Sequence, residues 1–183
     1  EIEEIVSQAD GLVINLGTIT SNKAKAMFKA GEKALSLGIP AIIDPVGVGV
    51  STYRNDLFQE LLGSVQPKVI RGNGAEMAHL VNIPWKHRGV DAVGEDKSVL
   101  EIAQAVSERY QTVAVVTGKT DVITDGTRIA ELFNGHPYLP IISGTGCLTT
   151  ALIGATLAVE EDPFIASLAA LTYFEVASEK AGK

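Results

Sequence analysis

Short apolar runs that alternate with longer helical patterns constrain the fold of this chain more than any other feature. Strands are predicted at Gly11–Leu16, Ala41–Ile43, Lys68–Ile70 and Thr112–Val116, followed by a hairpin of Asp121–Thr124 and Arg128–Phe133 that turns at Asp125-Gly126. Helices are predicted at Glu1–Ala9, Ser21–Leu37, Thr52–Leu62, Asn73–Leu80, Ser98–Tyr110, Gly146–Val159 and Pro163–Lys180.

This alternation indicates βαβ units and a mostly parallel sheet. Thr112–Val116 contains four apolar residues in a row, which is typical of a strand buried on both faces. We therefore predict a three-layer α/β fold with helices on both faces of the sheet and an antiparallel edge. No linker divides the 183 residues, so we expect a single domain over residues 1–183.

Composition excludes several classes of protein. The formal net charge is −7, whereas a nucleic-acid-binding domain would be basic, so no nucleic-acid partner is expected. No apolar run is long enough to span a bilayer, so no membrane partner is expected either. Cys147 is the single cysteine, which excludes an internal disulfide and fits a reducing compartment; we expect a cytoplasmic protein.

Both ends of the chain interrupt helical patterns. The sequence opens on Glu1 without an initiating methionine, and it closes in a helix that has no stop signal before Lys183. We expect a fragment that lacks an N-terminal segment and the C-terminal end.

Polar residues and glycines follow each of the first four predicted strands. They are Asn15–Thr18, Asp44–Gly49, Arg71–Glu76 and Thr117–Lys119. Because ligands of open α/β sheets bind beyond the carboxyl ends of the strands, these segments predict a binding site along one sheet edge.

Two carboxylates and one guanidinium stand out at this edge. Asp44 and Glu76 have the chemistry of ligands for a magnesium ion that accompanies a nucleotide, although either could instead cap a helix. Arg71 is suited to phosphate recognition, and the alternative is a structural ion pair with one of these two acids.

The segment Ser143-Gly144-Thr145-Gly146-Cys147 directly precedes an apolar helix. Backbone N–H groups at such a helix start can hold an anion, so we predict a phosphate cradle; the alternative is an ordinary helix start capped by Thr145. The segment is not a Walker A motif, because it contains no Gly-Lys-Ser/Thr and no lysine. No Gly-x-Ser-x-Gly occurs, and the three histidines, His79, His87 and His136, lack metal-binding spacing.

Several motifs together resemble the hydroxyethylthiazole kinase family over nearly the whole chain. They are Asn15–Thr18, Asp44–Gly49, Arg71–Glu76, Val116–Gly118, Thr124–Gly126, Asn134–Pro137 and Gly144–Cys147, in that order. The resemblance implies a ribokinase-like fold and ATP-dependent phosphorylation of the hydroxyl of 4-methyl-5-(2-hydroxyethyl)thiazole in thiamine biosynthesis and salvage. It also implies a homotrimer with active sites between subunits.

The resemblance also implies roles for individual residues. They are nucleotide binding by Arg71, Thr117 and Asn73, magnesium binding by Asp44 and Glu76, contact of Gly144 with the thiazole alcohol, and an anion hole over Gly144, Thr145, Gly146 and Cys147. Related kinases have an aspartate base where this chain has Cys147, which is either the base or a small packing residue. The chain departs from the family at Gly74, which is more often Ala, and we expect the family's N-terminal segment, with its substrate-contacting methionine, to be missing from this fragment.

Two further hypotheses remain open. One is a kinase of the same fold that acts on another small alcohol, such as a hydroxymethylpyrimidine or a sugar. The other is a nucleotide-binding protein without turnover.

Overall fold

The computed structural model describes residues 1–85 and 95–182 and contains one mixed sheet. Its strands are β1 (Leu12–Asn15), β2 (Ala41–Asp44), β3 (Val69–Asn73), β4 (Val113–Thr117), β5 (Asp121–Thr124) and β6 (Ile129–Leu132). They lie side by side in chain order. β1 to β4 are parallel, and β5 and β6 extend the sheet as an antiparallel hairpin.

Seven helices surround the sheet in the described ranges. They are α1 (Ile2–Val6), α2 (Ser21–Leu37), α3 (Thr52–Val65), α4 (Gly74–Leu80), α5 (Glu95–Tyr110), α6 (Thr145–Leu157) and α7 (Pro163–Ala181). The predicted α/β architecture and its antiparallel edge are thus confirmed. His87 lies outside the described residues. None of the described helices has the length and apolarity that a membrane crossing requires.

The strand bounds differ from the prediction where they matter most. β3 continues through Asn73 instead of ending at Ile70, and Arg71 pairs in register with Val115 of β4. Arg71 and Asn73 therefore lie within the sheet, because all five residues of β3 pair with the five residues of β4. A 3-10 turn at Leu139–Ile141 was not predicted.

Two apolar cores lie on opposite faces of the sheet. Alternate strand residues face each side: Ile43 and Ile70 belong to the core under α2 to α5, and Ile42 and Val69 belong to the core under α6 and α7. The sheet is therefore the middle layer of three, which explains the nearly continuous apolar character of its central strands.

The strand order explains which helices share a face. Crossovers between parallel strands are right-handed, and β1 to β4 follow one another in a single direction, so the intervening helices lie on the same side. The opposite face is left to α6 and α7, of which α6 packs over β1 and β2. This packing directs the start of α6 to the carboxyl ends of those strands.

Arg54 of α3 ties together the loops after β1 and β2. Its guanidinium donates to the carbonyl oxygens of Leu16, of Gly17 (2.8 Å) and of Val46 (2.8 Å). Leu16 is fully buried, so its carbonyl would lose its partner if the guanidinium were removed.

Arg54→Met is expected to lower the free energy of unfolding by about 2–3 kcal/mol, because three charge-assisted contacts are lost while the stem is kept. Urea unfolding followed by circular dichroism measures this loss. Lys29→Met, which changes an exposed cation of α2, is the control. Equal stability of the two variants would contradict the role given to Arg54.

Candidate active site

The carboxyl ends of four parallel strands bring the predicted polar residues to one edge. Asn15 pairs in register with Asp44, and Asn73 pairs in register with Thr117. Between these two pairs, Ile43 of β2 pairs with Ile70 of β3, so the next residues of the two strands, Asp44 and Arg71, lie side by side. The edge therefore presents amide, carboxylate, guanidinium and hydroxyl groups next to one another.

Asp44 is the most enclosed of these groups, with 1% of its surface exposed. Its Oδ2 accepts hydrogen bonds from Thr150 Oγ1 (2.7 Å) and Asn15 Nδ2 (3.0 Å). Burial raises the pKa of Asp44 above its ordinary value, although the Arg71 guanidinium opposes the rise. Thr150 also lowers the pKa of Asp44, whereas the Glu76 carboxylate raises it.

The Arg71 guanidinium lies between the sheet edge and the start of α6. Nη1 is 3.8 Å from Asp44 Oδ2, and Nη2 donates to Thr117 Oγ1 at 2.5 Å. The Nε atom is buried and has no hydrogen-bond partner in the part of the chain that the structure describes. The ion pair with Asp44 exists, as the alternative hypothesis required, but it leaves donor capacity for an anion.

Gly146 brings the first turn of α6 against Arg71. A Cβ atom at Gly146 would lie 2.7 Å from Arg71 Nη1, so any side chain here would displace the guanidinium. The absence of a side chain lets a cation and the N-terminus of a 13-residue helix face the same space. That combination favours an anion.

Gly144, not Thr145, is the N-cap of α6. Gly144 has φ of 93°, a left-handed conformation that favours glycine, and no side chain caps this end of the helix. The Thr145 hydroxyl instead turns away to the carbonyl oxygens of Leu139 (3.0 Å) and Ile142 (3.2 Å). The alternative of an ordinary start capped by Thr145 is therefore wrong.

Cys147 is exposed on the first turn of α6. Asn15 Nδ2 lies 3.4 Å from its Sγ and also donates to Asp44 Oδ2. One amide thus holds the thiol and the buried carboxylate at a common edge.

Asn73 and Glu76 form a capping box at the start of α4. Glu76 N donates to Asn73 Oδ1, and Asn73 N donates to Glu76 Oε2, both at 3.0 Å. Glu76 Oε1 accepts from Gly47 N at 2.9 Å. Glu76 thus has the helix-capping role that was the alternative to magnesium binding, and Asn73 is the N-cap residue of the same helix.

Gly74, where the family more often has Ala, lies against the Trp85 ring. A Cβ atom at this position would lie 2.5 Å from the ring, so a side chain here would require Trp85 to move.

Among these acids, Asp44 fits a magnesium ion better than Glu76. Its Oδ1 is buried without a hydrogen-bond partner in the described ranges, whereas each Glu76 oxygen already holds a backbone N–H. No group of three or more His, Cys, Asp or Glu residues able to hold a metal occurs among the described residues. Magnesium that arrives with a nucleotide needs only one or two carboxylates, so the donor set suits such an ion.

Two contacts of the edge were not predicted from the sequence. Thr150 lies one helical turn after Gly146, so it lies on the same face of α6 and could have been found by that spacing. Asn15 belongs to the strand-end motif, but its bonds to Asp44 and Cys147 join three separate elements and leave no local sequence pattern.

Comparisons with known proteins identify the family of this chain. The model of the hydroxyethylthiazole kinase family matches residues 1–183. A curated hydroxyethylthiazole kinase of Listeria monocytogenes serotype 4a (strain HCC23) is 44% identical over 181 residues, which are 99% of this chain and 67% of that protein. The chain thus spans about two thirds of the length of this relative.

Solved structures show the same relationship. Hydroxyethylthiazole kinase protein from Pyrococcus horikoshii OT3 superposes with a TM-score of 0.89 at 35% identity, covering 99% of this chain and 67% of that one. Pyridoxal kinase from Staphylococcus aureus, in complex with AMP-PCP and pyridoxal, superposes with a TM-score of 0.68 at 19% identity, covering 94% of this chain and 63% of that one. At this identity the likeness shows the fold alone. The chain belongs to the hydroxyethylthiazole kinase family.

Proposed function

We propose that this chain transfers the terminal phosphoryl group of ATP to the hydroxyl of 4-methyl-5-(2-hydroxyethyl)thiazole, a step of thiamine biosynthesis and salvage. Family membership supports the reaction class and the acceptor. The structural observation that carries the proposal is the contact between the Arg71 guanidinium and Gly146 at the start of α6. This close approach supports an anion site at the place proposed for phosphoryl transfer.

The proposed chemistry depends on positioning and charge. Phosphoryl transfer has a loose transition state, so stabilisation of the equatorial oxygens matters more than covalent catalysis. The N–H groups of Thr145, Gly146 and Cys147 and the guanidinium of Arg71 would bind those oxygens. The position that a Cβ atom would take at Gly144 has no side chain or distant backbone atom within 4 Å, which leaves room for the acceptor alcohol.

Thr117 and Asn73 support the nucleotide side of the proposed site. Thr117 Oγ1 accepts from Arg71, so it fixes the guanidinium toward the α6 start. Asn73 begins α4 and holds Glu76 at the same edge. Their proposed roles in nucleotide binding are therefore to orient charged partners.

Magnesium is the proposed companion of ATP. Asp44 would hold the ion through its free carboxylate oxygen, and Glu76 would contribute at longer range. When bound, the ion would neutralise phosphate charge. An ionised Asp44 is disfavoured by burial, and a nearby cation would compensate for that cost.

We further propose a cytoplasmic homotrimer with its sites between subunits. Exposed apolar residues directly precede the anion site: Tyr138, Ile141 and Ile142 are 59%, 76% and 55% exposed. Such a cluster is typical of a surface that another chain covers.

The proposed reaction is tested by ADP release from ATP with single added alcohols, on a chain extended to the length of its relatives. The thiazole alcohol is expected to stimulate release more than a hydroxymethylpyrimidine or a sugar. Stimulation by one of those instead would establish another acceptor. ATP binding without stimulation by any alcohol would favour a non-catalytic nucleotide-binding protein.

Asp44→Asn is expected to raise the magnesium concentration for half-maximal activity by about tenfold or more, because the charge-assisted contact is lost. Packing should survive, since the side chain keeps its shape. The measurement is a magnesium titration at fixed ATP, with a thermal melt as the check on folding. Asp56→Asn, at an exposed site of α3, is the control. An unchanged titration would remove Asp44 from the metal site.

Cys147→Ser is expected to lower kcat by about 10²-fold or less, because Arg71 and the backbone N–H groups remain. Cys147→Asp should keep turnover, since Asn15 Nδ2 can donate to a carboxylate as it now lies beside the thiol. The measurement is kcat against pH for the three forms. Loss of all turnover in Cys147→Ser with ATP binding preserved would make the thiol essential and contradict this expectation.

A further inference from the structure

A second pair of carboxyl groups lies behind the proposed nucleotide loop and has no role in the site described above. Asp121 begins β5 and is 8% exposed, and Glu175 lies on the buried face of α7 and is 5% exposed. The two side chains share a hydrogen bond. Two ionised carboxylates cannot make that bond, because neither would have a proton to donate.

Asp121 connects this pair to the proposed nucleotide loop, residues 117–120. Its Oδ1 accepts the N–H of Gly118 at 2.8 Å. Gly118 follows Thr117, whose hydroxyl holds Arg71. The contacts therefore run from α7 through β5 to the guanidinium that faces the anion site.

The surroundings of Glu175 favour its neutral form. Asp121 faces it from β5, and Glu179 is one turn further along α7, where it accepts from Gly135 N and Asn134 Nδ2 at 3.0 Å. β4 and α6 also pack on α7 and have no Asp, Glu, Lys, Arg or His in their ranges, and His136 lies beside the end of α7 at Gly182. Glu175 Oε2 is buried and accepts no hydrogen bond from the described residues, which disfavours a negative charge on this carboxyl.

We propose that Glu175 is a positioning residue for nucleotide binding: as a neutral acid it donates to Asp121, and Asp121 thereby holds Gly118 and the loop at 117–120. Burial raises the pKa of Asp121 as well, but the hydrogen bonds from Glu175 and the Gly118 N–H and the charge of Arg71 oppose that rise, so Asp121 is the partner that keeps its charge. The proposal rests on the proposed function only in taking this loop as part of the nucleotide site.

The titration of Glu175 makes the arrangement sensitive to alkaline pH. Burial and the hydrogen bond and charge of Asp121 raise the pKa of Glu175 from 4.5 to about 9. Because the folded pKa lies above the ordinary value, the favourable contribution to stability is complete below about 4.5 and is lost as the pH rises toward 9. Above about pH 9, Glu175 and Asp121 would both be ionised and would repel each other, and Asp121 would no longer be held in place to accept the Gly118 N–H.

The test compares ADP binding by the wild type, Glu175→Gln and Asp121→Asn, with calorimetry at about pH 8 and about pH 10. Glutamine donates at every pH, and asparagine at 121 removes the repulsion. The ratio of Kd at the higher pH to Kd at the lower pH should be about fivefold or more larger in the wild type than in either variant. Glu161→Gln, at an exposed acid, is the control and should follow the wild type.

A second measurement does not require nucleotide binding. The amide signal of Gly118 in ¹⁵N-edited NMR spectra should shift through the alkaline range in the wild type and not in Glu175→Gln. Equal Kd ratios in the wild type and Glu175→Gln would overturn the proposal, as would an invariant Gly118 signal. Failure of every form to bind ADP would instead refute the proposed function, and the Gly118 signal alone would then decide whether Glu175 positions the loop.

Discussion

A single buried carboxylate oxygen connects most of the candidate site. Asp44 Oδ2 receives Asn15 from β1 and Thr150 from α6, and it attracts Arg71 from β3. A buried charge is costly unless it is paired and hydrogen-bonded, so the fold must keep these partners in place to retain Asp44 in ionised form. The same partners also fix the positions of Cys147 and Gly146 relative to Asp44, because Asn15 contacts the Cys147 thiol and Arg71 lies against Gly146.

The architecture brings these partners together without any local motif that contains them all. Consecutive parallel strands place α2 to α5 on one face, which leaves α6 to cover β1 and β2 from the other. The start of α6 therefore reaches the edge where β2 ends at Asp44 and where Arg71 lies two residues before the end of β3. Glu175 on the neighbouring α7 supports the same edge from behind, through Asp121 and Gly118.

The sequence predicts the fold better than it predicts the contacts within the site. Val113–Val116 and the alternating apolar runs identify a sheet buried on both faces, because a long apolar strand has few other stable placements. The continuation of β3 to Asn73 depends on pairing with β4 and cannot be found from β3 alone. Glu175 did leave a signal: it lies four residues after the fully buried Leu171, so it is an acid on an apolar helix face. The contacts of Arg54 reach the loops after β1 and β2, and no local spacing encodes them. The spacing from Gly146 places Thr150 on the right face of α6 but does not identify Asp44 as its partner. The roles of Asp44, Glu76 and Asn73 toward magnesium and nucleotide remain predictions.

We infer that Asp44 holds Arg71 and the α6 start ready for a phosphate before any nucleotide binds. A crystal structure with magnesium and a non-hydrolysable ATP analogue tests it most directly. The account predicts a phosphate that contacts the Arg71 guanidinium and the N–H groups of Gly146 and Cys147, with the Arg71–Asp44 and Arg71–Thr117 contacts kept. A nucleotide bound away from this edge, or an Arg71 that leaves Asp44 to reach the phosphate, would contradict it.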